Sequence, residues 1–94
     1  MTAVVDNPTA RRFELVEDGK MAELVYRFDG DRMVLIHTEV PEDLEGRGLG
    51  GKLVQAAVDH ATERGIVLVP RCPFARAWLE RHPDAAGLVT IDWP

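Results

Sequence analysis

The segment from Arg32 to Pro70 leaves this chain few ways to fold. The stretch "RMVLIHTEV" is apolar on both faces over Met33 to Ile36, which predicts a central, doubly covered strand. A loop, "PEDLEGRG", leads into a helix from about Leu49 to Arg64. Its apolar stripe is Leu49, Leu53, Ala56, Ala57 and Ala61, while Lys52, Gln55, Asp59 and Glu63 face water. Gly65 stops the helix, and "IVLVP" follows as a short, continuous apolar strand. Strand, helix and strand in that order pair most easily in parallel, through a right-handed crossover.

The flanking segments complete the fold class. "RRFELVED" sets Phe13 and Leu15 on one face, with Glu17 in line. "MAELVYRF" alternates Ala22, Leu24, Tyr26 and Phe28 against Met21, Glu23, Val25 and Arg27. Asp18-Gly19 and Asp29-Gly30-Asp31 are hairpin signals, so the chain begins as an antiparallel meander. Residues 1–10 read as a loose lead-in ending near Pro8. After "IVLVP", Pro73 stands where the first residue of a second helix belongs, running to about Arg81, and Pro83 ends it. The tail "AAGLVTIDWP" fits either a turn of helix or a short strand. The expected class is a mixed α/β (α+β) fold: meander, helix, parallel strand, second helix. With 94 residues and no linker, it forms one small domain over residues 1–94.

Composition narrows the function classes. The net charge is −5, with no basic tail or arginine stripe, which argues against general nucleic-acid binding. No apolar stretch approaches the roughly 20 residues of a membrane span. "MTAVVDNPTARR" breaks the apolar run that a signal peptide needs, so a cytoplasmic protein is expected. Cys72 is the single cysteine, which excludes an internal disulfide and any multi-cysteine zinc site; no metal is expected.

The stretch "EGRGLGGKL" satisfies three phosphate-binding patterns. Gly46, Gly48 and Gly51 fit the dinucleotide fingerprint G-x-G-x-x-G, and Gly46, Gly51 and Lys52 fit most of a P-loop. Gly48 and Gly50 fit the shorter turn x-x-G-x-G that binds coenzyme A pyrophosphate in acyltransferases. All three exploit glycines that let a backbone approach an anion at a helix N-terminus. The P-loop reading fails at Leu53, where a Ser or Thr hydroxyl should meet magnesium. The dinucleotide reading needs a strand running directly into the glycines and an acid after the next strand. Here Pro41 to Glu45 intervene, and the next strand ends in "VPRC". The third pattern fits its context.

That context, together with "HTEVP", "GRGLG" and "VPRCPF" followed by "HPD", resembles the GNAT superfamily of acyl-CoA-dependent N-acetyltransferases. It is most similar to the small, single-domain branch of about a hundred residues, over Phe13 to Asp84. The resemblance implies a protein that binds acetyl-coenzyme A and transfers acetyl to an amine, such as an exposed protein amine. It implies that the amides from Arg47 through Gly48 and Leu49 to Gly50 hold the pyrophosphate, with Arg47 and Lys52 adding charge. Thr38 and Val40 would offer backbone groups to the pantetheine. Glu45 departs from the pattern, which has Gln or Arg there. The alternative function is a coenzyme A-binding regulatory or interaction module without turnover.

Acetyl transfer needs a deprotonated amine, a polarised carbonyl and a proton for the departing thiolate. A lysine-type amine has a pKa near 10.4, so it needs a base at neutral pH. Glu39 stands where many GNAT enzymes place a carboxylate base. His37, two residues earlier, shares its face and could relay through water. Cys72 falls at the N-cap of the second helix, where the helix end and Arg71 favour a thiolate, and serves as acid or nucleophile. The expectation is that His37, Glu39 and Cys72 cluster around the thioester. The helix tyrosine that many GNAT enzymes use as acid is missing, since Tyr26 is the one tyrosine and lies on an early strand.

Overall fold

A computed structural model describes residues 3–94 of the chain. Five strands form one sheet in sequence order: β1 (Val5–Asn7), β2 (Arg12–Glu17), β3 (Lys20–Asp29), β4 (Arg32–Glu39) and β5 (Val67–Pro70). The first four pair antiparallel, and β5 joins β4 in parallel. The connection between β4 and β5 carries a 3-10 turn (Glu42–Leu44) and the long helix α1 (Leu49–Arg64). Helix α2 (Pro73–Arg81) and the short α3 (Pro83–Ala86) follow. The mixed α+β architecture read from the sequence is therefore the observed one.

Alternation fixes which face the helices cover. Phe13, Leu15, Ala22, Leu24, Tyr26, Met33, Leu35 and Leu68 join Leu53, Val54, Ala57 and Val58 of α1 and Ala75 and Leu79 of α2 in one buried cluster. Burying a side chain of Leu size contributes on the order of 1.5–3 kcal/mol, so this face holds the fold together. The other face carries the ion pairs of Arg12 with Glu14 and Glu23. Val34 and Val69 are buried there outside the main cluster, but Ile36 is 41% exposed. The double coverage expected over Met33 to Ile36 thus ends at Leu35.

Two terminal expectations are revised. Residues 1–10, read as loose, contain β1, whose Asp6 accepts a 2.5 Å hydrogen bond from the Tyr26 hydroxyl; Met1 and Thr2 lie outside the described residues. The tail, open between a turn of helix and a short strand, is helical only to Ala86 and otherwise makes a single bridge to the sheet. Residues 83–86 form α3, and Ile91 then bridges in parallel to Leu68, with bonds between Leu68 and the backbone of Thr90 and Asp92. Among the described residues, no helix is long and apolar enough to cross a membrane.

The feature that positions the site is a β-bulge in β4. Val25 pairs with His37 but Tyr26 pairs with Leu35, so Ile36 is an extra residue on β4. Strict alternation from Leu35 would point His37 and Glu39 toward the helices. The bulge inverts the pattern: Thr38, opposite the buried Leu24, turns to the helix face, and His37 and Glu39 turn to the other.

Candidate active site

Strand β5 accompanies β4 only from Arg32 to Leu35. At that point the Cys72 amide donates to the Leu35 carbonyl, 2.9 Å, and the chain leaves the sheet. The stretch of β4 from Ile36 to Glu39 therefore has an edge that no strand occupies on the β5 side. Unsatisfied backbone groups on such an edge are ready partners for an extended ligand.

The end of α1 faces the same opening. Gly48 is its N-cap, at φ 77°, and no side chain caps it. The first intrahelical bond runs from Lys52 to the Gly48 carbonyl, so the amides of Leu49, Gly50 and Gly51 are left without helical acceptors. Those free donors and the partial positive charge of the helix end suit an anion such as a phosphate. The two features meet in a cleft of about 300 Å3, lined by Thr38, Val40, Leu44, Glu45, Gly46, Gly48, Leu49, Gly50, Gly51 and Phe74. It carries amide donors at one end, an apolar wall of Val40, Leu44 and Phe74, and an open strand edge.

The four glycines do different work. Gly46 and Gly48 adopt positive φ, 83° and 77°, with open space where a Cβ would be. Gly50 and Gly51 are ordinary helical residues against α2: a Cβ on Gly50 would come within 2.6 Å of the Phe74 ring, and one on Gly51 within 2.6 Å of Trp78 Nε1. The motif thus builds a turn with its first pair and lets α2 pack closely with its second.

The structure divides the expected residues into three groups. Thr38, Val40, Gly48, Leu49 and Gly50 all line the cleft. Arg47 and Lys52 stand outside the lining and are exposed. Arg47 is already engaged: its Nη1 donates to Glu17 and to Asp18, both at 2.9 Å. Those bonds, Glu17 first and then Asp18, hold its guanidinium above its ordinary pKa.

The expected trio does not assemble. Glu39 and His37 face each other at 3.7 Å on the outer surface of the sheet, both well exposed. Cys72 is the N-cap of α2, as read from the sequence, but it is buried at 3% exposure within the hydrophobic cluster. Its sulfur lies 3.1 Å from the Thr38 hydroxyl. The bulge at Ile36 is the reason, because it turns Thr38 to the helix face beside Cys72 and sends His37 and Glu39 to the outer face. The Thr38 side chain is the residue sequence reasoning missed; counting by twos along β4 points it outward. Phe74 and Leu44 also enter the cleft wall unanticipated, and Glu45, the departure from the family pattern, lines it as well. Tyr26 takes no part, since its hydroxyl is committed to Asp6. Among the described residues, no group of His, Cys, Asp and Glu could hold a metal ion.

A bulged strand β4, a gap where its parallel neighbour ends, and an uncapped helix facing that gap give this small α+β domain a site suited to an elongated anionic ligand. A sequence profile of the GCN5-related N-acetyl-transferases matches residues 12–88. The chain is 35% identical over 63 residues to protein NATD1 of Homo sapiens, covering 66% of this chain and 56% of that protein. NATD1 of Danio rerio is 31% identical over 84 residues, 86% of this chain and 76% of the relative. The aligned part of this chain spans a little over half the length of the human relative. A GCN5-like protein of Staphylococcus aureus, solved by NMR, superposes with a TM-score of 0.73 at 29% identity, covering 95% of this chain and 88% of that one. The chain belongs to the GCN5-related N-acetyltransferase family, a family of acetyltransferases that generally use acetyl-CoA.

Proposed function

We propose that residues 1–94 act as a single cytoplasmic domain that binds acetyl-coenzyme A and transfers its acetyl group to an amine, such as an exposed protein amine. One observation carries the reading: the free amides of Leu49, Gly50 and Gly51 and the unpaired edge of β4 open into one cleft. The amides suit the pyrophosphate, and the edge at Thr38 and Val40 suits the amides of the pantetheine arm. The thioester then lies at the end of β5, beside Thr38 and Cys72.

The two polar pairs suit the two proton transfers. The amine approaches from the outer face of the sheet, through the gap past Pro70. Glu39, with His37 beside it, accepts the amine proton directly or through a water. The amine nitrogen adds to the thioester carbonyl, and the resulting intermediate collapses with loss of the coenzyme A thiolate. Thr38 and Cys72 form the donor pair from which that thiolate regains a proton. From the ammonium form two protons leave the nitrogen. Glu39 takes the first before attack, and the second, released as the intermediate collapses, passes to solvent and balances the proton that the donor pair gives the thiolate.

The test is thermal unfolding with acetyl-coenzyme A, followed by turnover on a panel of amines. A ligand that binds only the native state stabilises it by about 2.7 kcal/mol at a hundredfold excess over Kd. ATP with magnesium and NAD should stabilise much less. Equal stabilisation by ATP would return the glycines to the P-loop reading. Strong binding with no transfer to any amine would leave a coenzyme A-binding module.

A further inference from the structure

The turn between β2 and β3 is tied to the glycine loop by ion pairs of opposite polarity. Arg47 of the loop reaches Glu17 and Asp18 of the turn. Lys20, at the start of β3, reaches back to Asp43 in the 3-10 turn. Each side therefore supplies both a cation and an anion. The loop's own backbone bonds are local, Leu44 to Pro41 and Glu45 to Glu42, and its buried apolar anchor is Leu44. Beyond that anchor come Gly46 and Gly48, the two positions of greatest backbone freedom.

We infer that Arg47 is a positioning residue and not a phosphate ligand. With Glu17, Asp18, Lys20 and Asp43 it forms a clamp that holds the glycine loop in its ligand-ready shape. The inference rests on the coenzyme A reading of the cleft. The guanidinium stands outside the cleft with both carboxylates at 2.9 Å, so moving it to a phosphate would break both contacts and draw it from two anions toward a third. A glycine turn that is not held must also be ordered when the ligand arrives, and that ordering weakens binding. Exposed ion pairs contribute little to global stability, but local opening of a loop is set by just such contacts.

The two roles for Arg47 predict opposite signs, which calorimetric titration of the 94-residue chain with coenzyme A at low ionic strength can read. If Arg47 bound phosphate directly, the double variant Glu17→Gln, Asp18→Asn would free it and leave affinity equal or higher. Removing two negative charges near an anionic ligand would push the same way. As a clamp, that double variant and Arg47→Gln each weaken coenzyme A by about three- to five-fold. Combining all three substitutions weakens it no further, because the same two contacts are removed either way. Arg47→Lys, which keeps the charge, recovers most of the loss. The swap Lys20→Asp with Asp43→Lys binds more tightly than either single change. The unfolding temperature without ligand stays nearly constant, and in turnover the KM for acetyl-coenzyme A rises while kcat holds. Undiminished affinity in the carboxylate variant overturns the clamp alone. A wild-type chain that ignores coenzyme A overturns the functional reading beneath it.

Discussion

The hydroxyl of Thr38 and the thiol of Cys72 lie 3.1 Å apart although 34 positions separate them in the chain. Two backbone devices bring them together: the bulge at Ile36 turns Thr38 inward, and the bond from the Cys72 amide to Leu35 seats α2 at the end of β5. If this pair returns the proton to the thiolate, Cys72→Ala and Thr38→Val should each slow acetyl transfer by roughly tenfold or more while coenzyme A binding persists. The double variant should lose little beyond the worse single one, since the groups act together. Full turnover in Cys72→Ala would reduce the thiol to packing. Burial also predicts slow alkylation of Cys72 by iodoacetamide in the folded chain, rising sharply in denaturant.

The glycines should separate by mutation. Gly48→Ala places a Cβ at φ 77° in open space, so it strains the backbone by about 1–2 kcal/mol and leaves α2 undisturbed. Gly51→Ala instead drives a methyl into Trp78, at 2.6 Å from Nε1. Its cost should largely vanish when Trp78 is first shortened to Leu, whereas that of Gly48→Ala should not. Urea denaturation of the two cycles measures this. Equal coupling of both glycines to Trp78 would contradict the division of roles.

The outline of this fold was legible because it rests on short-range signals. Hydrophobic alternation located the meander, Gly65 and Pro73 marked the helix ends, and the loop before α1 set the crossover. What stayed hidden depends on contacts across the chain. Residues 5–7, "VDN", hold one apolar residue, and β1 is secured by the reach of Asp6 to Tyr26. The bulge leaves no mark in an apolar run such as "MVLI", yet it decides which side of the sheet each candidate group serves. The same holds for Gly50 and Gly51, whose partners Phe74 and Trp78 come from another helix.

Glu39 is well exposed beside His37, and as the proposed general base it would act on an amine that is protonated at neutral pH. Glu39→Gln should lower kcat/KM by about a hundredfold near pH 7 without changing the affinity for coenzyme A. The deficit should shrink as the pH approaches the amine pKa of about 10.4, where free amine becomes abundant without help. His37→Asn should cost less, because it sits one contact removed. A Glu39→Gln deficit that is flat from pH 7 to about 10 would speak against base catalysis.

Tyr26 offers a test of the fold that is independent of the site. Its side chain is buried at 2% exposure, and its hydroxyl donates to Asp6. Burial first, and then the bond and charge of Asp6, push its pKa well above the ordinary tyrosine value. The folded state therefore holds its proton to a higher pH than the unfolded state, whose tyrosine ionises near pH 10. Below that pH both states keep the proton, and stability owes nothing to the difference. Above it the unfolded state ionises first, so the unfolding free energy should fall steadily as pH rises. Because the chain has a single tyrosine, tyrosinate absorbance reports this residue alone and should appear together with unfolding, not before it. Tyr26→Phe should remove this alkaline slope and, with the Asp6 bond lost, cost about 1–3 kcal/mol at neutral pH. An ordinary tyrosine titration in a chain that is still folded would mean that β1 does not seal the core over Tyr26.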